Sequence, residues 1–350
     1  MSFFTNLISS RVPADNRLRK LNAIIDWEKI RKIITKKYRP NINPVTGVKP
    51  YDPICMFKAV LLQSWHSLSD PALEEALRVR FDFILFTGFE IEDSIPDETT
   101  LCRFRNQLIE LNLERDLFAE INRQLEEHGL KIKRASGAVI DATIIESAAR
   151  PKYQIEEIVE DRKEPEVPPT SSFKVQRSCD VDARWLKKGK RSYFGYKMFI
   201  STQAEDGFIE HVAVTPANQS EVSYLPKILE GMELIRGKRI YGDKGYASAY
   251  NRENLKRLGL KDGLMEKATK GEALSHLKKI KNKLISKRRY IVEQTFGILK
   301  RRFSFSRSRY LSRRKVEGEA ILKSICLNLM KSIRKTEIKP LICLNRLIEG

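Results

Sequence analysis

The sequence predicts an all-α helical region over residues 1–132. An α/β domain over 133–335 follows, with a mixed sheet flanked by helices, and then a short tail at 336–350. Three observations predict this. Apolar residues recur at helical spacing as far as about Leu130. At Lys133 the period changes to β-branched runs separated by turns and helical stretches. A net charge of +20 is weighted toward the C-terminal third, where residues 278–315 carry fifteen Lys or Arg and a single acid, Glu293.

In the helical region, Leu18, Leu21, Ile24, Ile25, Trp27, Ile30 and Ile33 form one broad apolar stripe, which predicts a helix from Asn16 to about Tyr38. Residues 39–53 carry four prolines and a glycine and read as a loop. ICMFKAVLLQSW reads as a buried helix. His66 to Pro71 supplies a turn with cap candidates and a proline near the first helical position, opening ALEEALRVRFDF. FILFTGFEIEDSIP reads as an aromatic loop. Asp97 or Thr99 then caps a helix that bears Arg103 and Arg105, and residues 112–132 supply one more helix. Short helices ending in an arginine-bearing one suggest a DNA-binding unit of helix-turn-helix type, or a plain bundle with a basic face.

In the second part, ASGAVIDATIIES reads as a buried strand with Asp141 in its middle. A charge there is costly unless paired or metal-bound, so Asp141 is either a structural acid or a metal ligand. Residues 150–178 are acidic and proline-rich without a period, and read as a flexible surface excursion. Strands are expected near Tyr193–Thr202, over GFIEHVAVTPAN after the Asp206-Gly207 turn, and at Lys238–Tyr241. Helices are expected over Ser220–Leu234, Ala249–Leu258 and from Lys270 into the Glu293 segment, with an amphipathic Gly318–Arg334 docking on the sheet. Asp243 ends the Lys238–Tyr241 strand between two glycines, which suits close approach of a ligand or an ordinary turn.

Charge and cysteines narrow the function. The basic excess points to a polyanion, and its position beside an isolated acid favours nucleic acid. Five scattered cysteines with no C-x-x-C pair read as reduced thiols, against a disulfide scaffold or zinc finger. No apolar run reaches eighteen residues and no secretory pattern opens the chain, so a cytoplasmic protein without a membrane partner is expected. On the Glu293 helix, Arg289, Glu293 and Lys300 fall within about 40° of one another, beside an apolar stripe of Val292, Phe296, Leu299 and Phe303. A surface pair between Arg289 and Glu293 would account for the first two. Three carboxylates in this order would instead suit two divalent cations about 3.5–4 Å apart acting on a phosphodiester, with Mg²⁺ the natural choice and Mn²⁺ able to substitute. Arg289, Lys300, Arg301, Arg302 and Lys244 supply the basic surround such chemistry needs.

VIDAT around Asp141, ARW...GKRSYFGYK at 183–197, VTPANQSE at 214–221, YGDKGY around Asp243, and R-x3-E-x6-K at Arg289, Glu293 and Lys300 together resemble bacterial insertion-sequence transposases of the DDE type. PDETTLCRFR resembles the helical region that precedes their catalytic domain. The resemblance spans roughly residues 50–305. It implies a ribonuclease H-like domain, with Asp141, Asp243 and Glu293 as the metal-binding catalytic triad. It further implies cleavage at terminal inverted repeats and transfer of 3′ ends into target DNA by a homo-oligomer. Arg103 and Arg105 are expected to contact DNA from the N-terminal unit. Where relatives often carry a tyrosine three residues before the arginine of the last motif, this chain has Ser286, and Tyr290 points to another face. Asp180 and Asp182 are read as structural or DNA-proximal acids, not ligands. The rival readings are a ribonuclease H-like nuclease or resolvase, and a non-catalytic helix-turn-helix regulator.

Overall fold

The computed structural model describes residues 8–40, 49–90, 94–151, 153–157, 171–175, 178–268 and 272–348, with side chains described outside 153–157, 171–175 and 337–348. After helical residues 8–11, seven helices follow among the described residues of the first part: α1 (Arg17–Ile24), α2 (Trp27–Lys37), α3 (Pro53–His66), α4 (Asp70–Val79), α5 (Phe81–Thr87), α6 (Glu98–Glu110) and α7 (Leu113–Glu127). The single helix expected over 16–38 is two, because Asp26 caps α2 by accepting from the amides of Glu28 and Lys29. The expected aromatic loop contains α5, whose Phe83 and Phe86 are buried, so core burial overrides the weak helix preference of the run. The caps read from the sequence form: Ser69 accepts from Ala72 N at 3.2 Å, and Asp97 from Thr100 N at 2.6 Å.

The second part contains β1 (Gly137–Glu146), β2 (Tyr153–Glu157), β3 (Ser171–Val175), β4 (Arg184–Lys188), β5 (Arg191–Gln203), β6 (Ile209–Pro216), α8 (Glu221–Glu230), β7 (Arg239–Gly242), α9 (Ala249–Arg257), β8 (Lys261–Leu264), α10 (His276–Arg301) and α11 (Arg313–Ile348). The main sheet runs β6-β5-β1-β7-β8. The first three strands are antiparallel neighbours, and β7 and β8 run parallel to β1. This is the ribonuclease H-like order. Neither β8, which completes that order, nor β4, which adds to it, was anticipated from the sequence. β4 pairs with the start of β5 on the same edge that β6 takes further along, and the exchange falls at Gly195, whose φ is +157°. A β-carbon at Gly195 would stand 2.7 Å from Ser147 N, so only glycine lets β1 and β5 stay paired there. Within the expected excursion, β2 and β3 pair as an antiparallel hairpin, and residues 158–170 lie outside the described residues.

Alternation along β1 divides the core. Ala138 and Ile140 pack with Phe199, Leu225, Ile228 and Leu255 under α8 and α9. Val139 and Ile145 join the larger cluster with Val292, Phe296 and Leu299 of α10, α11 and the N-terminal helices. α11 packs on β6, as its amphipathic pattern suggested, and also on α3 and α7. Asn328 of α11 fastens that junction. Its side-chain amide donates to Asn122 Oδ1 of α7 at 2.8 Å and to Ile209 O at 2.9 Å, while its Oδ1 accepts from Ile209 N at 2.9 Å.

Arg105 corrects an expectation. It is 3% exposed, and its guanidinium donates to Asp70 Oδ2 at 3.0 Å and Gln63 Oε1 at 2.8 Å, beneath the Tyr310 ring. It ties α3, α4 and α6 together and cannot touch DNA. Asp70→Ala would strand that buried cation, and a loss of about 3 kcal/mol is expected, read as a lower urea midpoint. An unchanged midpoint would mean that Gln63 and Tyr310 satisfy Arg105 unaided.

Candidate active site

β1 and β7 pair only from Gly137 to Val139 and Arg239 to Tyr241, after which β7 ends and the strands part. Asp141 follows just past that point on the face turned toward α10, and Asp243 just past the end of β7. The opening at the carboxyl ends of parallel strands is where α/β sheets hold ligands. Here it brings two carboxylates from distant parts of the chain into one crevice. Asp141 Oδ2 accepts from Arg289 Nη2 of α10 at 2.8 Å, and its Oδ1 from Ala142 N at 2.8 Å. Burial pushes the Asp141 carboxyl up to about 6, with the charge of Asp243 adding to the rise and Arg289 opposing it. Asp243 Oδ1 accepts from Gly245 N at 2.7 Å.

Arg289 thus reaches across to β1 and does not form the surface pair with Glu293 that its spacing allowed. Glu293 stands one turn beyond Arg289 on the same side of α10, exposed, with no ion-pair partner among the described residues.

Beside the aspartates lies an open cleft of about 470 Å³, lined by Thr143, Lys187, Lys188, Lys197, Glu221 and Lys300 among others. Burial and then Lys188 hold the Lys300 ammonium below its ordinary value, with Glu146 opposing, so an arriving anion would relieve both. The other expected basic residues divide. Lys244 and Arg301 are exposed, and Arg301 Nε donates to Gly297 O at 3.3 Å. Arg302 turns from the crevice toward Arg17 and Arg334, since nine residues carry it half-way round the helix from Glu293. Arg103 is exposed on α6. Asp180 is 2% exposed and accepts from Ser312 N at 3.1 Å and from the Tyr196 hydroxyl, while Asp182 accepts from Arg313 N at 2.9 Å. Both acids therefore secure the start of α11.

Sequence reading assigned no role to Glu221, Tyr246, Lys188 or Lys197. VTPANQSE contains Glu221, GKRSYFGYK contains Lys197 and YGDKGY contains Tyr246, but nothing in their local pattern shows that α8 and the β4–β5 hairpin end at the same crevice.

A family model described as Transposase DDE domain matches residues 133–329, and the chain is 42% identical over 233 residues to the transposase for insertion sequence element IS1106 of Neisseria meningitidis serogroup B. The chain belongs to the bacterial insertion-sequence transposases of the DDE type. The IS1106 match covers 67% of this transposase and 77% of that relative. A second model, described as Transposase domain, matches residues 6–107. Among solved structures, the transposase is similar to the piggyBac transposase synaptic complex with hairpin DNA, at a TM-score of 0.42 and 10% identity, covering 87% of this chain and 70% of that one. A pre-cleavage Mos1 transpososome matches at a TM-score of 0.21 and 10% identity, over 93% and 98% of the two chains. The transposase is an enzyme of DNA cleavage and transfer, and its DDE domain is of a metal-dependent kind. No helix among the described residues is long and apolar enough to cross a membrane.

Proposed function

We propose that the transposase binds the terminal inverted repeats of its element, cleaves phosphodiester bonds there and joins the freed 3′-hydroxyl ends to target DNA, working as a homo-oligomer on paired ends. The observation that carries the reading is the convergence of Asp141 and Asp243 under Arg289, with Glu293 one turn along the same helix. The donors are hard oxygens, and of the two neighbouring carboxylates only Asp141 is paired with a resident cation, Arg289. That set fits Mg²⁺, or Mn²⁺ in its place, because such ions take one or two carboxylates and keep several waters. Among the described residues no group of three or more acidic, imidazole or thiol side chains is placed to hold a metal ion between them.

Asp141, Asp243 and Glu293 would hold the cations, two in number. The chemistry that bound cations supply is activation of a water or 3′-hydroxyl and stabilisation of the leaving oxygen. Arg289 orients Asp141 and places positive charge beside the scissile phosphate. Lys300, Lys187 and Lys188 draw the neighbouring phosphates into the cleft, while Lys244 and Arg301 extend the basic surround.

The test is incubation of the purified protein with labelled element ends in Mg²⁺, Mn²⁺ or EDTA. Nicking and joining that need the metal are expected, with joining from pre-cleaved 3′ ends separating strand transfer from simple hydrolysis. Binding without cleavage in any metal would overturn the reading. Arg103 is the N-terminal arginine left to meet DNA: Arg103→Ala should lower the slope of log affinity against log salt by about 1, and an unchanged slope would remove it from the interface.

A further inference from the structure

Asp141, Asp243 and Glu293 are not the only acids at the crevice. Glu221, the first residue of α8, reaches it from the side opposite α10. Gly245 makes that approach possible: a β-carbon at this position would collide with Glu221 Oε2 and stand 2.9 Å from Asp243 Oδ1. The two carboxylate oxygens therefore flank one bare glycine. Lys197 Nζ lies 3.4 Å from the other oxygen of Glu221 and donates to Gln219 O at 2.8 Å, which fixes Glu221 from behind. Asp243 has no cation within ion-pair distance among the described residues; its partner is the Gly245 amide.

Tyr246 supplies an independent sign. Its side chain is 0% exposed, and its hydroxyl has no hydrogen-bond partner. The charges that bear on it are those of Asp141, Glu221 and Asp243, with Arg289 opposing. A buried hydroxyl left without a partner costs about 1–3 kcal/mol, and folds keep such groups where a ligand or its water takes the bond.

Resting on the reading of the crevice as the cation-binding centre, we propose that Glu221 is a fourth carboxylate of that centre and holds one divalent cation jointly with Asp243. Two carboxylates and several waters suit Mg²⁺ and Mn²⁺. The Tyr246 hydroxyl is then available to one of those waters, and Gly245 sets the spacing between the two ligands.

The test is Mn²⁺ binding to the full chain, measured by calorimetry and by the electron paramagnetic resonance of free Mn²⁺. Glu221→Gln keeps the side-chain volume and the Lys197 contact but removes the charge. Gly245→Ala keeps every charge and inserts the β-carbon between the oxygens. Each is expected to weaken Mn²⁺ binding at least tenfold, as is Asp243→Asn, with the circular dichroism spectrum unchanged. Wild-type affinity in both variants beside a weakened Asp243→Asn would overturn the role of Glu221 alone. Absence of Mn²⁺ binding by the wild type would overturn the centre itself. Should Gly245→Ala fail to fold, Glu221→Gln decides the matter.

Discussion

Asp141→Asn is expected to abolish metal-dependent cleavage and joining while raising the melting temperature of the metal-free protein at neutral pH. Burial, helped by the charge of Asp243, lifts the Asp141 carboxyl from 3.8 to about 6. The folded chain therefore holds this proton more tightly than the unfolded chain does. The stabilisation is full below the unfolded value and is lost as pH rises through the folded one, a difference of about 3 kcal/mol. Asparagine keeps the shape without the charge, so that loss disappears, less what Arg289 forfeits with its ion pair. Calorimetry in EDTA between pH 4 and 8 should show wild-type stability falling across pH 4–6 relative to the variant. Mg²⁺ should restore the wild type alone. Parallel curves for the two proteins would assign the titration to other acids and remove the argument for a strained, cation-seeking carboxylate.

Glu293→Gln should be equally severe for chemistry and nearly silent for the fold. Its side chain is exposed and has no ion-pair partner among the described residues, so a stability change within about 0.5 kcal/mol is expected. Binding to element ends should persist while cleavage falls to background. Matched loss of binding and cleavage would make Glu293 a DNA-contact or folding residue. The expected contrast between the variants is itself informative: the acid on β1 should cost stability at neutral pH and the acid on α10 should not.

Those two acids also show what a linear sequence can carry. Asp141 was legible because a charge interrupts a β-branched run, and Glu293 because it stands alone among bases. Asp243 was marked by its flanking glycines at a strand end. Each signal is local. Arg105 was misread because its partner, Asp70, lies thirty-five residues earlier. A basic residue on a helix looks the same in sequence whether it faces solvent or a buried carboxylate. The α5 helix was missed because Phe83 and Phe86 gain their helical state from the core they enter, and β8 because four residues paired to β7 leave too short a pattern. Glu221 was passed over since its meaning depends on Gly245, a neighbour only in three dimensions.

The joint at Asn328 sets a condition on how the enzyme can work. That one amide bonds α11 to both α7 and β6, so the helical unit and the catalytic sheet share a buried polar joint, as two arms share a rivet. Anything the N-terminal helices grip would then be tied through this joint to the sheet that carries Asp141. If those helices hold the element end, as proposed, the choice of scissile bond would follow length along the DNA. Small-residue packing changes at this joint would be expected to move the cut along the strand before they stopped it.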